Sequence, residues 1–85
     1  MVMVIEPLRF NRVAGGVLKK RREESGLTLW KLGADVGCGE MVESRRERGE
    51  RTIDVLDLVR YAGAFGCAPS TLLSEILHQY NQRKD

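Results

Sequence analysis

Apolar residues recur at helical spacing in the middle of the chain, where Leu29, Leu32 and Val36 fall on one side. The hydroxyl of Thr28 can cap the start of this helix, and Gly37 supplies the flexible residue that ends it. A second short helix can follow after a brief turn. Two short helices joined in this way form a helix-turn-helix, and the second of them has the right size for the major groove of DNA.

The segment before this pair predicts a first helix over residues 13–25, with Val13, Val17 and Leu18 on its apolar side. Adjacent glycines at positions 15 and 16 weaken it by about 1 kcal/mol each relative to alanine. We therefore expect this helix to be firm only from Gly16 onward.

Four consecutive cations begin at residue 19, on the other side of the first helix. Such a run is either a solvated face or the part of a helix that crosses a phosphate backbone. Under the second interpretation, Lys19 and Lys20 are candidates for phosphate contact.

Two more helices are predicted after the helix-turn-helix. Asp54 can cap the fourth helix, which runs to about Phe65, and Gly66 closes it. The fifth helix begins at Pro69 and carries an apolar stripe that is wide for a helix with water on its other side. Four residues of the stripe are therefore candidates for contact between two copies of the chain: Leu73, Ile76, Leu77 and Tyr80.

The two ends of the chain lie outside this pattern. Valine and isoleucine flanked by methionine favour an extended N-terminal arm over residues 1–12. The arm is either a frayed terminus or a segment that pairs with a sheet edge or a second subunit. Residues 81–85 have the composition of a solvated C-terminal tail, which leaves residues 13–80 as the helix-turn-helix domain.

The composition is that of one small domain. The 85 residues are 42% hydrophobic and 31% charged, which allows one modest core and leaves little room for an enclosed catalytic cleft. A formal charge of +2 is too weak to indicate nucleic acid without clustering of the cations. The opening apolar run is shorter than a signal-peptide core or a membrane span, so we expect a cytoplasmic protein without membrane contact.

Spacings typical of catalytic or metal-binding residues do not occur. Cys38 and Cys67 lie far apart and are typical of small, reduced core residues. There is no Ser/His/Asp or Cys/His arrangement, and no glycine-rich loop between a strand and a helix. The sequence therefore predicts no enzymatic activity, no metal and no cofactor.

Several short motifs stand at the spacing of the Cro/C1-type (XRE-like) helix-turn-helix family, which the chain resembles over about residues 13–73. They are Gly26-Leu27-Thr28, Leu32, Gly37, Glu47-Arg48-Gly49, Ala62, Phe65 and Gly66. The resemblance implies an all-α fold: a compact five-helix lambda-repressor-like DNA-binding domain that contains a helix-turn-helix.

The resemblance also implies which residues would touch double-stranded DNA. The start of the third helix reads bases in this family, which points to Glu40, Met41, Ser44 and Arg45. A guanidinium can bond O6 and N7 of guanine together, a carboxylate can accept from cytosine N4, and methionine can pack on a thymine methyl. The implied phosphate contacts are Lys19, Lys20, Thr28, Arg48, Arg51 and Thr52, and an ion pair between Arg22 and Glu47 would tie the first helix to the third.

The chain departs from the family pattern in the second and third helices. Leu29 and Trp30 replace polar residues, and Trp30 either covers the core or anchors a protein partner. Glu43 and Arg46 stand where the family buries aliphatic side chains, within a third helix predicted over about residues 39–48. An unpaired buried charge costs several kcal/mol. We therefore expect this helix to rotate or shift, turning Val42 inward, or both charges to reach outward to water.

Two functions follow from these patterns. The first is a transcriptional regulator that binds a short inverted repeat as a homodimer, implied by the resemblance to be a repressor or autoregulator of a phage, mobile-element or toxin–antitoxin operon. The second keeps the fold without DNA, as an antiactivator or sequestering subunit that binds a protein such as a toxin or an activator. Leu29, Trp30, Glu40 and Glu43 favour the second. The salt dependence of duplex binding distinguishes the two.

Overall fold

A computed structural model describes residues 4–82 of the chain, and within them it contains five α-helices and no strand. The helices are α1 (Pro7–Glu24), α2 (Leu29–Val36), α3 (Glu40–Glu47), α4 (Val55–Phe65) and α5 (Pro69–Gln82). The predicted all-α, five-helix fold with a helix-turn-helix is confirmed. None of the described helices is both long enough and apolar enough to span a membrane.

Local capping sets the bounds of α2 and α4, as the sequence predicted. The Thr28 side chain accepts a hydrogen bond from the backbone N–H of Lys31 at 3.0 Å, and Gly37 ends α2 in the left-handed conformation with φ of 80°. Asp54 accepts from the Asp57 N–H at 2.7 Å, while the Asp57 carboxylate accepts from the Asp54 N–H. This reciprocal capping box holds the first turn of α4.

The first helix begins six residues earlier than predicted. Glu6 caps it by accepting hydrogen bonds from the N–H groups of Leu8 and Arg9, and Pro7 occupies the first turn, where a missing N–H costs nothing. Residues 7–12, which we expected in an extended arm, are therefore helical. The arm is reduced to residues 4–6, with 1–3 outside the described residues. Asn81 and Gln82 of the predicted tail belong to α5.

The early start of α1 explains the wide apolar stripe of α5. The ring of Tyr80 lies 5.8 Å from that of Phe10, and its hydroxyl accepts a hydrogen bond from the Glu6 N–H at 2.9 Å. Ile76 and Tyr80 are 3% and 4% exposed. They belong to the core of this chain, so their prediction as contacts between two copies is wrong. Leu73 and Leu77 remain at the surface or half-buried.

Gly15 lets α1 approach the end of α3. A Cβ atom built on Gly15 would overlap the backbone carbonyl groups of Arg46 and Glu47. From the sequence, Gly15 is expected to weaken the helix, whereas in the structure its missing side chain makes room for another backbone. Close packing at this point holds α3 against the body of the domain.

The core lies where α1, α2, α4 and α5 meet. Its most enclosed apolar side chains are Leu18, Leu32, Tyr61, Ala62 and Leu72. These four helices supply the buried apolar cluster. The buried residues of α3, by contrast, are Glu43 and Glu47. The helix expected to read DNA is therefore attached to the body by polar side chains.

Candidate nucleic-acid interface

A tight turn positions α3 against α2. The N–H groups of Cys38 and Gly39 both donate to the carbonyl of Gly33, at 2.9 and 3.0 Å, and Gly39 starts α3 with φ of 83°. Positive φ is costly for residues with a side chain, which explains the glycine at this place. The turn fixes the direction in which the short α3 helix leaves α2.

The candidate base-reading residues lie along one exposed part of α3. Glu40, Met41 and Arg45 are exposed, and Met41 is exposed to 70%. Ser44 is half-buried, and its hydroxyl accepts a hydrogen bond from Nη1 of Arg48 at 3.2 Å. Three of the four candidates therefore project from the domain, while Ser44 is engaged by its neighbour one turn later.

Two of the candidate phosphate-binding cations converge at a hollow of about 240 Å³ beside α3. Lys19 of α1, Leu29 of α2 and Arg48 at the end of α3 all line it, as does the Arg22–Glu47 pair. The remaining candidates Thr28, Arg51 and Thr52 are exposed. Thr28 directly precedes Leu29, and Arg51 and Thr52 follow Arg48 within four residues. Lys20 lines a different hollow, with Glu75 of α5. The structure thus groups Lys19 with Arg48 and sets Lys20 apart.

Arg48 is held by a surface carboxylate. Its Nε atom lies 3.0 Å from Glu50, and the two side chains are 58% and 54% exposed. An exposed pair of this kind contributes less than about 1 kcal/mol. A phosphate group could therefore replace Glu50 as the partner of Arg48 at little cost.

The ion pair between Arg22 and Glu47 is present at the base of α3. Arg22 donates to both carboxylate oxygens, at 2.8 and 3.0 Å, and also to the carbonyl of Leu27 at 3.0 Å. The side chains are 12% and 4% exposed, and the hydrogen bonds from Arg22 to Glu47 raise the pKa of Arg22. This bidentate contact ties α1 to α3 and orients the helix that carries Arg45.

Neither a rotation or shift of α3 nor an outward reach of the side chains brings Glu43 and Arg46 into water. Glu43 is fully buried and accepts a hydrogen bond from the Tyr61 hydroxyl, while Arg46 lies 3.0 Å from Asp57 with its side chain 11% exposed. Arg46 also donates to the Tyr61 oxygen at 3.2 Å. The expectation that both charges avoid the interior is wrong, because α4 supplies polar partners for both. Val42 is half-buried.

Burial changes the acidity of this cluster. The pKa of the Glu43 carboxyl is raised from 4.5 to about 7, first by loss of hydration and next by the neighbouring Glu47, while Tyr61 and Arg46 oppose the shift. Burial, followed by the bond to Glu43, also raises the pKa of Tyr61. Tyr61 therefore stays a hydrogen-bond donor throughout the accessible pH range.

Solved structures of a gene regulator share this fold. Two crystal structures of the clp gene regulator ClgR from Corynebacterium glutamicum superpose on the chain. One has 22% sequence identity and a TM-score of 0.79, and covers 86% of this chain and 78% of the ClgR chain. The other has 23% identity and a TM-score of 0.73, and covers 81% and 90%. No protein-family model and no curated protein matches the sequence. At this identity the likeness establishes the fold alone.

Trp30 lies on the surface of α2. Its side chain is 65% exposed, so it covers little of the core. Leu29, by contrast, is half-buried and lines the hollow next to Lys19. Of the two interpretations of Trp30, the core-covering one does not fit this exposure.

Tyr61 and Asp57 are the site residues that sequence reasoning missed. The periodicity of α4 assigned this helix to the core as scaffold, and both residues are buried. A tyrosine on the core side of α4 was the available signal, because a buried hydroxyl requires a partner. The charges of Glu43 and Arg46 supply that partner from α3.

Proposed function

We propose that this chain is a sequence-specific DNA-binding transcriptional regulator of the Cro/C1 type. The observation that carries the proposal is the arrangement beside α3: Arg45 is exposed, and Lys19 and Arg48 converge from different helices on one adjoining hollow. The fold shared with ClgR, a gene regulator, supports the same conclusion. Following the family resemblance, the regulator would be a repressor or autoregulator of a phage, mobile-element or toxin–antitoxin operon.

In this proposal α3 enters the major groove, and Arg45, Met41 and Glu40 approach base edges. Lys19 and Arg48 hold a phosphate of the backbone next to the groove, and the N-terminal end of α2 faces the same strand. Phosphate contacts supply affinity, whereas Arg45 supplies preference for guanine.

The regulator binds an inverted repeat as a homodimer in this proposal. A surface of exposed apolar residues supports the dimer: Val55, Leu56 and Val59 of α4, with Leu73 of α5, are between 39% and 79% exposed. Two of them, Val55 and Leu73, line an apolar hollow of about 210 Å³ between α1, α4 and α5. Contiguous apolar surface on a small domain is typical of an interface. Two symmetry-related copies would present α3 to successive turns of the duplex.

The test is selection of duplexes from a randomised pool, followed by affinity measurements from about 50 to about 200 mM salt. We expect an inverted repeat to be enriched and its affinity to fall steeply as the salt concentration rises. Absence of duplex binding at about 50 mM salt overturns the proposal.

A protein-binding module without DNA contact is the second candidate function. Trp30 favours it, because an exposed tryptophan on a short helix is typical of an anchor for a protein partner. An antiactivator or sequestering subunit would use this surface on a protein such as a toxin or an activator. A chain that fails to bind duplexes at low salt, and whose Trp30→Ala variant loses a protein partner, has this function.

A further inference from the structure

A continuous series of buried polar side chains passes beneath α3. Arg22 of α1 donates to Glu47, and Arg46 donates to both Asp57 and Tyr61 of α4. Glu43 lies between these two groups and accepts the Tyr61 hydrogen bond through Oε1. The series joins α3 to α1 and α4 at once.

The charges of this series do not balance when every carboxyl group is ionised. The carboxylates of Glu43, Glu47 and Asp57 face the guanidinium groups of Arg22 and Arg46. Each guanidinium is already engaged by a carboxylate other than Glu43. Among residues 4–82, the Cys38 thiol of the α2–α3 turn also faces Glu43, at 3.8 Å from Oε1, and it is neutral. Asp54, beyond Asp57, is exposed to water. The ionised series therefore holds one unbalanced negative charge.

One atom of Glu43 lacks a partner in its ionised form. Oε2 is buried and accepts no hydrogen bond among the described residues. A buried oxygen without a donor costs free energy, and an ionised one costs more. A proton on Oε2 turns it into a donor, and the buried Glu47 carboxylate, one helical turn later on α3, is an acceptor with lone pairs to spare. The same proton removes the unbalanced charge.

We propose that Glu43 is a positioning residue for α3, and that it holds α3 in its reading orientation only while Oε2 carries a proton shared with Glu47. The positioning of α3 by Glu43 rests on the buried side chains alone. Its effect on DNA affinity rests in addition on the proposed DNA-binding function. When the proton leaves, the extra charge draws the Glu43 side chain toward water, and α3 loosens from α1 and α4. DNA affinity then falls as the pH rises through neutrality.

The experiment compares the chain with its Glu43→Gln variant, because a glutamine amide copies the protonated carboxyl: its oxygen accepts from Tyr61 and its NH2 donates to Glu47. Amide hydrogen exchange of residues 40–47, corrected for the intrinsic rate, is measured without DNA between about pH 6 and about pH 8, together with affinity for the selected duplex. We expect the unsubstituted chain to lose protection in α3 and about tenfold in affinity over this range, and the variant to lose neither.

Equal pH dependence in the two proteins overturns the inference. Titration of the Glu43 carboxyl carbon by NMR in the unsubstituted chain needs no variant, and a midpoint near the ordinary 4.5 overturns it as well. Failure of the proposed function gives a different result: neither protein binds duplexes at about 50 mM salt, while α3 protection still depends on pH in the unsubstituted chain alone. That result supports the positioning role of Glu43 and shows that the oriented α3 does not bind DNA.

Discussion

Tyr61 of α4 donates a hydrogen bond to the carboxyl group of Glu43 on α3, and both side chains are fully buried. An aliphatic pair at the same place would hold the helices by packing alone. The polar pair adds a directional requirement, since the hydroxyl must point at the carboxyl oxygen to avoid an unsatisfied buried group. The orientation of α3 therefore depends on a small number of hydrogen bonds.

The stability of the folded chain should fall as the pH rises from about 4.5 to about 7, because folding raises the pKa of Glu43 from 4.5 to about 7. The folded chain keeps a proton that the unfolded chain releases above pH 4.5, so the contribution of this proton to stability is complete below 4.5 and is lost as the pH rises to about 7. The loss amounts to about 3 kcal/mol. Urea unfolding at several pH values measures it.

Glu43→Gln is the control for this pH dependence, since it removes only the titrating group. We expect the variant to lack the fall between pH 4.5 and 7. Asp54 acts in the opposite direction, and only at lower pH: its pKa is lowered from 3.8 by the hydrogen bond from the Asp57 N–H, so its contribution is lost as the pH falls below that value. The same slope in both proteins between pH 4.5 and 7 would refute the assignment to Glu43.

Tyr61→Phe should destabilise the chain by about 1 to 3 kcal/mol, because it leaves Glu43 without a donor and Arg46 without one of its acceptors in the interior. Tyr80→Phe is the matched control. Its hydroxyl accepts one hydrogen bond, from the Glu6 N–H at the start of α1, where water can take its place. Thermal unfolding of the two variants compares the costs. A Tyr80→Phe cost equal to that of Tyr61→Phe would contradict a special role for the Tyr61 hydroxyl.

Gly15→Ala should destabilise the chain by about 1 to 3 kcal/mol, since the new methyl group overlaps the backbone at Arg46 and Glu47. Gly63→Ala should stabilise it by about 0.5 to 1 kcal/mol, because Gly63 lies inside α4 and a Cβ there meets no atom within 4 Å. Both free energies come from urea unfolding. Opposite signs are the expected result, and stabilisation by Gly15→Ala would show that α1 does not approach α3 so closely.

Arg45→Ala should cost about 1 to 3 kcal/mol of binding free energy on the selected duplex and relax the preference at one base pair. Arg51→Ala should weaken binding to all sequences about equally, as expected for a phosphate contact. Both side chains are exposed, so neither substitution should alter folding. Competition assays with single-base variants of the duplex measure the difference. Unchanged preference in Arg45→Ala would show that another residue of α3 reads the bases.

Val59→Asp should convert the proposed dimer to a monomer, because Val59 is 47% exposed within the apolar surface of α4. Trp30→Ser, on α2, should leave the dimer intact, and sedimentation equilibrium measures both. The opposite pattern would place the contact between copies at Trp30. Loss of duplex affinity in Val59→Asp with retained folding is expected as well, since a monomer contacts one half-site.

The helix-turn-helix could be predicted closely because its bounds are coded locally. Thr28 and Gly37 set the ends of α2 through contacts within a few residues, and Asp54 does the same for α4. The start of α1 carried an equally local signal in Glu6 and Pro7, which the apolar run before them obscured. The start of α1 was therefore predictable from residues within its own first turn.

The sequence alone determined the five helices and their order, since spacing and capping act between near neighbours. Only the tertiary structure decided that Glu43 and Arg46 are buried, that Ile76 and Tyr80 belong to the core, and that Gly15 is a point of close approach. Each of these depends on a partner far away in the chain: Glu43 meets Tyr61 eighteen residues later, and the N–H of Glu6 meets Tyr80 across 74 residues. Such partners are brought together by packing of the whole domain, and a charge that looks costly alone is stable once its partners are in place.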